Sequence, residues 1–152
     1  YKYSRYELLG IFFMTWFYND EVFDPEEAPE EYYGFVYCIT NLTNGMKYIG
    51  KKWMWSTRRL KPLKGQKRKR KKVSESDWRR YYGSSAHLNE ERDRIGDDKY
   101  KREILRFCKT KGECSYYELK YQMDEDVLLK PNEYYNAFVG AKIHRSHVYK
   151  EE

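Results

Sequence analysis

The chain is poor in cysteine and in histidine. Only three of each occur in its 152 residues, and the cysteines are Cys38, Cys108 and Cys114. Such an odd and sparse set argues against a disulfide framework and against a disulfide-linked partner, and it predicts a reducing, intracellular setting. A zinc site is also disfavoured, because Cys108-x5-Cys114 and His144-x2-His147 lack the spacing of standard structural zinc ligands.

Long hydrophobic runs are absent as well. The apolar segment at residues 8–17 is interrupted by Gly10 and Thr15, and it is about half as long as the ~20 residues of a bilayer-spanning helix. We therefore expect no membrane anchor and a cytoplasmic location. Residues 1–33 are expected to form an N-terminal apolar element and an acidic arm, and residues 34–152 the main domain.

Acidic residues are missing from one long stretch. Residues 47–72 hold thirteen Lys and Arg and no Asp or Glu, whereas residues 1–33 hold two bases and eight acids. Concentrated positive charge is what a polyanion-binding surface needs, because binding releases counterions from each phosphate that is contacted. The charge pattern favours a nucleic-acid partner, although the acidic arm could also fold over the basic stretch.

The hydrophobic pattern predicts an α+β fold. Residues 34–50 alternate in polarity around Asn44-Gly45, a strong turn signal, and so form a β-hairpin. We expect a short helix over 53–59, a helix start at 74–77, helices over 85–95 and 98–109, and a strand over 114–123. Residues 3–18 read as one apolar helix or strand, and the region up to about residue 148 as helical with a break at Pro131.

The two strands of the hairpin carry tyrosines eleven positions apart. Phe35-Val36-Tyr37 and Tyr48-Ile49-Gly50 resemble the signature hairpin of the GIY-YIG nuclease family, with Phe-Val-Tyr in place of Gly-Ile-Tyr. The small phage-borne or homing-type members are the ones resembled, which for a phage-borne protein implies the host cytoplasm. The resemblance implies a three-stranded antiparallel sheet flanked by helices, and an endonuclease activity.

The same resemblance implies a set of catalytic residues. The first tyrosine of the family is the presumed general base, an arginine follows the second motif, and a glutamate on a later helix holds a divalent metal. Arg58 follows Tyr48 by ten residues, and Glu133 precedes a pair of tyrosines in the way that the family glutamate precedes aromatic residues. The implied catalytic residues are Tyr37, Tyr48, Arg58, Lys51, Glu133 and Asn136, with Arg59 as an alternative to Arg58.

These residue types suit phosphodiester hydrolysis. Glu133 would offer a hard oxygen ligand to Mg²⁺ or Mn²⁺, and Arg58 a planar fork for phosphate oxygens. A phenol titrates near pH ~10, so Tyr37 would need a nearby cation such as Lys51 to act as a base. Outside this pattern, both tyrosines would be core residues, and Glu133 a surface carboxylate.

The basic run at residues 58–72 is predicted to clamp the backbone of double-stranded DNA as a loop or ribbon. We expect a metal-dependent DNA endonuclease; the alternative is a non-catalytic nucleic-acid-binding module on the same scaffold. The sequence leaves the oligomeric state open. The predicted DNA-binding residues are Arg59, Lys61, Lys64, Lys67, Arg68, Lys69, Arg70, Lys71 and Lys72.

Overall fold

The computed structural model describes residues 15–149. Its strands are β1 (Trp16–Tyr18), β2 (Glu21–Phe23), β3 (Gly34–Asn41), β4 (Lys47–Trp53), β5 (Trp55–Leu60), β6 (Arg70–Glu75) and β7 (Tyr100–Cys108). Within these residues the α-helices are α1 (Ala86–Ile95) and α2 (Lys111–Asp124), and short 3-10 turns lie at Trp78–Arg80, Asp97–Lys99, Val127–Leu129 and Arg145–His147.

The main sheet has five strands in the order β2-β1-β7-β3-β4, and β5 and β6 form a separate two-stranded ribbon. Strand β1 runs parallel to β7, while the other neighbours are antiparallel. The predicted α+β class is confirmed. The sheet is larger than the expected three strands, because β1 and β2 from the region before residue 34 extend it beyond β7.

The predicted hairpin is confirmed as β3 and β4. Asn41 and Met46 close the turn by a backbone hydrogen bond of 2.8 Å, and Gly45 adopts a φ of +76° that favours glycine. Seven of the eight residues of β3 are buried, because β7 and β4 flank this strand and both faces are covered. Strand β4 forms the edge of the sheet, where Glu133 and Tyr135 bond to the backbone of Lys47, and Asn136 bonds to that of Ile49.

Two predictions of secondary structure were wrong in opposite directions. Residues 100–108 form β7 instead of a helix, because the spacing of four between Tyr100, Ile104 and Cys108 also fits the period of two of a strand. Residues 111–124 form α2 instead of a strand. Thr110 caps this helix by accepting a hydrogen bond of 3.1 Å from the backbone N–H of Glu113.

The structure corrects three further expectations. Residues 53–59 contain the end of β4 and most of β5 rather than a helix, and the expected helix start at 74–77 is the end of β6 and the approach to a 3-10 turn. Beyond residue 130 the described chain has 3-10 structure only at Arg145–His147. The expected helix over 85–95 is confirmed as α1, but most of the apolar segment at 3–18 lies outside the described residues.

The sheet has a different core on each face. Aromatic residues dominate one face, where Trp16, Phe35, Tyr37 and Trp78 are almost completely buried. Helix α2 covers the other face and encloses a smaller core that includes Cys108 and Cys114. No group of three potential metal-ligating His, Cys, Asp or Glu side chains occurs within residues 15–149.

The acidic arm is anchored by Arg79. Arg79 donates a hydrogen bond of 2.8 Å to the carboxylate of Asp24 and one of 2.7 Å to the carbonyl of Pro25. Of the helices that the structure describes, none has the length and apolar character that crossing a membrane requires.

Candidate active site

Tyr37 and Tyr48 lie side by side on the aromatic face of the hairpin. Their ring centroids are 6.2 Å apart, Tyr37 is only 1% exposed, and the hydroxyl of Tyr48 is 2.9 Å from Oγ of Ser84. Tyr37 lies opposite Gly50 in the strand register. Because Gly50 has no side chain, the phenol of Tyr37 can pack directly against the backbone of β4.

The environment of the tyrosine pair favours neutral phenols. Burial raises the pKa of Tyr37 well above its ordinary range, and Tyr81 and Tyr48 raise it further. Burial also raises the pKa of Tyr48. Tyr81 lies between Tyr37 and a cation, since its ring centroid is 5.9 Å from that of Tyr37 and 4.0 Å from Nζ of Lys52.

Lys51 lies on the opposite face from the tyrosines. Its Nζ donates a hydrogen bond of 2.8 Å to Ser115 and lies 3.6 Å from Oε1 of Glu118, both on α2. The expectation that Lys51 lowers the pKa of Tyr37 is therefore not met in this geometry. The ammonium group of Lys51 instead lies at the edge of β4, next to α2.

Glu118 is a carboxylate whose charge acts on both tyrosines. Its negative charge contributes to the raised pKa of both Tyr37 and Tyr48, although it projects from α2 on the other side of the sheet. Burial raises the pKa of Glu118, and the positive charge of Lys51 opposes this effect, together with hydrogen bonds from its side chain and its backbone N–H. Glu118 therefore lies at the edge of β4 beside Lys51, next in the chain to Gly50.

Glu118 is not among the residues predicted from the sequence, although the sequence contains two signals for it. Thr110-x-x-Glu113 is the pattern of a capping box that opens a helix. Cys114, Glu118 and Gln122 then follow at intervals of four, which places them on one helical face. This face was not recognised, because the alternation of Tyr117, Leu119, Tyr121 and Met123 predicted a strand.

Glu133 lies at the other end of β4. It is in a turn rather than on the expected helix, its carbonyl accepts a hydrogen bond of 2.9 Å from the N–H of Lys47, and it lines a small cavity beside Asn44 and Gly45. The structure therefore does not bring Glu133 together with Tyr37, which pairs with Gly50 farther along the strand.

Asn136 is buried and is used to hold the edge strand. Its side chain donates a hydrogen bond of 2.8 Å to the carbonyl of Ile49 and accepts one of 3.1 Å from the N–H of the same residue. Gln122 of α2 donates to the same carbonyl at 2.9 Å. The amide of Asn136 is therefore occupied by the backbone of β4, and its role in a catalytic site stays a prediction.

Arg58 lies on β5, outside the main sheet, and lines a cleft of about 500 Å³ at the base of the ribbon. Lys52 and Trp53 of β4 and Lys111 of α2 line the same cleft. Arg59 is an exposed neighbour on β5. Neither arginine belongs to the group formed by Tyr37, Tyr48, Lys51 and Glu118, whereas the cleft connects Arg58 to the same edge strand.

Replacing Gly50 by alanine is expected to reduce cleavage of DNA strongly by displacing the tyrosine pair. A Cβ at this position would lie 2.5 Å from Oη of Tyr37 and 3.0 Å from Cε1 of Tyr48, so the rings have to move. We expect a loss of stability of ~1–3 kcal/mol, measured by urea denaturation, together with the loss of cleavage.

Gly45→Asn is the matched control for Gly50→Ala. A Cβ at Gly45 meets nothing within 4 Å, and asparagine tolerates the positive φ of this turn residue. The control should cleave DNA at the rate of the wild type. Equal activity of Gly50→Ala and the wild type would contradict the proposed close approach of Tyr37 to the edge strand.

The hairpin of β3 and β4 presents a pair of tyrosines, and a helix brings a carboxylate to the edge strand, as the resemblance to GIY-YIG nucleases implies. A protein-family model described as "Putative endonuclease segE, GIY-YIG domain" matches residues 16–139. The chain therefore belongs to the GIY-YIG family of endonucleases. Comparisons with curated proteins and with solved structures found no significant match.

Proposed function

We propose that the protein is a metal-dependent DNA endonuclease that hydrolyses phosphodiester bonds at the edge of β4. The observation that carries the proposal is that Glu118 and Lys51 pair at the edge of β4 directly after Gly50, the residue against which Tyr37 and Tyr48 pack. An acid, a cation and hydroxyl groups are the groups that phosphoryl chemistry needs. The basic ribbon next to this site supports a nucleic-acid substrate.

The chemistry of Glu118 fits a hard divalent cation such as Mg²⁺ or Mn²⁺. Its side chain is 16% exposed, so it is accessible from the edge, and burial disfavours its negative charge in the absence of further positive charge. A cation at this carboxylate would relieve that cost, and substrate phosphate would complete its coordination shell. When bound, the ion would neutralise charge on the phosphate oxygens. We therefore propose Glu118, rather than Glu133, as the metal ligand.

The remaining residues would bind and orient the substrate. Lys51 offers a second positive charge to the phosphate, and Tyr48 offers a hydroxyl that Ser84 already holds in place. The greater burial of Tyr37 favours a positioning role for its phenol, whereas Tyr48 is better placed to orient the attacking water. A tyrosine acting as the general base would need additional positive charge, because both phenols have a raised pKa.

The proposed function is tested by incubating the purified protein with supercoiled plasmid and Mg²⁺. We expect nicked or linear product with Mg²⁺ and no product in EDTA. The cleavage rate of Tyr48→Phe should fall by at most ~100-fold, because this variant loses only the hydroxyl that orients water. Tyr18→Phe, a tyrosine on β1, is the control and should cleave normally. Cleavage that is insensitive to EDTA, or equal in all three proteins, would contradict the proposal.

A further inference from the structure

The ribbon of β5 and β6 projects from the main sheet as a separate element. It forms its own two-stranded sheet and joins the body where Ser76 donates hydrogen bonds to the carbonyls of Met54, at 2.9 Å, and of Trp53, at 2.6 Å. Most of its residues are exposed, including Val73, which is 62% exposed. An isolated pair of strands is only marginally stable in water, so this element is suited to being completed by a partner.

The ribbon places like charges directly opposite one another. Arg58 faces Lys72 across the strands, and Arg59 faces Lys71. Such pairs destabilise a sheet. Within residues 15–149, no salt bridge involves a side chain of residues 58–72. A polyanion would remove this repulsion, and both faces of the ribbon offer charge to it.

We propose that the ribbon inserts into the major groove of double-stranded DNA. The inference rests on the proposed function, because it concerns how the substrate of the same site is held. A two-stranded ribbon fits the B-DNA major groove, which is roughly 12 Å wide, but not the minor groove of roughly 6 Å. Cations on both faces then contact the phosphates on both walls of the groove, which a flat surface contact would not use.

The cleft at the base of the ribbon connects this arm to the catalytic edge. Arg58, Lys52 and Lys111 line it together with Glu75 and Asp77, and Asp77 pairs with Lys52 at 2.6 Å. Lys52 belongs to the strand that also carries Tyr48 and Lys51. The DNA backbone that leaves the groove passes through this cleft toward Glu118. Arg58 is therefore a positioning residue that binds substrate, which accounts for its place on β5 rather than beside the tyrosines.

Groove width also selects the kind of nucleic acid. The major groove of double-stranded RNA is deep and narrow, so that side chains do not reach its bases. Single-stranded DNA has no groove, and it would engage the ribbon through charge alone. Duplex DNA is the ligand that matches both the charge and the dimensions of the ribbon.

The test measures binding of the wild-type chain to a short fluorescent duplex by anisotropy in EDTA, where cleavage does not occur. One duplex carries 5-octadiynyl-deoxyuridine in place of thymidine, which fills the major groove, and another is saturated with distamycin, which fills the minor groove. We expect the first modification to weaken binding by ~10-fold or more and the second to leave it nearly unchanged. Equal binding to all three duplexes, or competition by distamycin alone, would overturn the proposal.

Two double variants with the same change in net charge distinguish binding by the ribbon from attraction of DNA to any basic surface. Arg59→Gln/Lys71→Gln should bind more weakly and lower the slope of log affinity against log salt by ~2. Arg94→Gln/Lys142→Gln makes the same change in charge at exposed sites outside the ribbon and should bind like the wild type. Equal effects of the two pairs would contradict a specific role of the ribbon.

These variants are expected to fold, because the first pair removes repulsion between β5 and β6, and a melting curve checks this. The binding result also stands apart from catalysis. Groove-dependent binding without cleavage would refute the proposed endonuclease function while supporting the ribbon assignment. Cleavage without groove dependence would do the reverse.

Discussion

Glu118→Gln is expected to abolish metal-dependent cleavage, whereas Glu133→Gln cleaves like the wild type. Glutamine keeps the shape of the side chain but removes the charge that would hold the ion at the edge of β4. Loss of a group that merely supports a metal ligand costs roughly 10- to 100-fold, so loss of the ligand itself should cost ~100-fold or more. Glu133 has the same chemistry but lies at the turn end of the hairpin.

Plasmid cleavage with Mg²⁺ decides between the two carboxylates, and binding of Mn²⁺ provides a second measurement. We expect the wild type and Glu133→Gln to bind Mn²⁺ in electron paramagnetic resonance titrations, and Glu118→Gln to lose this binding. The melting temperature of Glu118→Gln should not decrease, because burial disfavours the charge that the substitution removes. Loss of cleavage in Glu133→Gln with retention in Glu118→Gln would reverse the assignment.

The raised pKa of Glu118 also gives a sign to the pH dependence of metal binding. A carboxyl group binds a cation only after losing its proton, so metal affinity falls as the pH is lowered through this pKa. Since burial raises the pKa above that of an ordinary glutamate, the loss should begin at a higher pH than for an exposed carboxylate. Titrations with Mn²⁺ across a pH series measure this shift.

The hairpin could be predicted from the sequence because its information is local. Alternating apolar residues and Asn44-Gly45 define the strands and the turn, and the same segment carries the two tyrosines. The α+β class followed from this hairpin and from the helix at 85–95. The parallel pairing of β1 with β7 joins segments that are remote in the chain, so no local pattern specifies it.

Only the tyrosine pair of the candidate site could be predicted from the sequence. The carboxylate of Glu118 could not, because it belongs to a segment whose pattern fits both a strand and a helix. Tyr117, Leu119 and Tyr121 alternate as in a strand, but they belong to a helix whose inward face is read at intervals of three and four. With this segment assigned to a strand, Glu133 was the acidic residue predicted to lie on a later helix, and Glu118 was not. The position of Arg58 could not be predicted either, since a spacing of ten residues after Tyr48 does not distinguish a short helix from a ribbon.

The approach of Tyr37 to Gly50 is also tertiary information. The sequence shows a glycine at the end of the second motif, but only the register places it opposite the first tyrosine. The segment at 79–84 then covers the phenols, with Tyr81 and Ser84 as their partners. The position of this segment depends on a buried arginine that the charge pattern did not distinguish from the others.

Arg102→Met is expected to destabilise the protein by ~2–4 kcal/mol. Arg102 is 1% exposed, and its guanidinium lies 4.7 Å from the ring centroid of Trp16 and 4.3 Å from that of Tyr82. Its Nη1 donates hydrogen bonds to the carbonyls of Arg79, at 2.9 Å, and of Tyr81, at 3.0 Å. Methionine fills a similar volume but leaves both carbonyls without this donor.

The expected loss is measured by urea denaturation, with Arg106→Met as the control on the same strand. Arg106 is exposed, and its guanidinium lies 3.7 Å from the ring centroid of Tyr117, a surface contact worth ~0.5–1 kcal/mol. Burial lowers the pKa of Arg102 to about 10, so the guanidinium is still charged at neutral pH. Its hydrogen bonds are therefore charge-assisted and stronger than those of a neutral donor. Equal losses for the two variants would mean that Arg102 does not hold the segment that covers Tyr37.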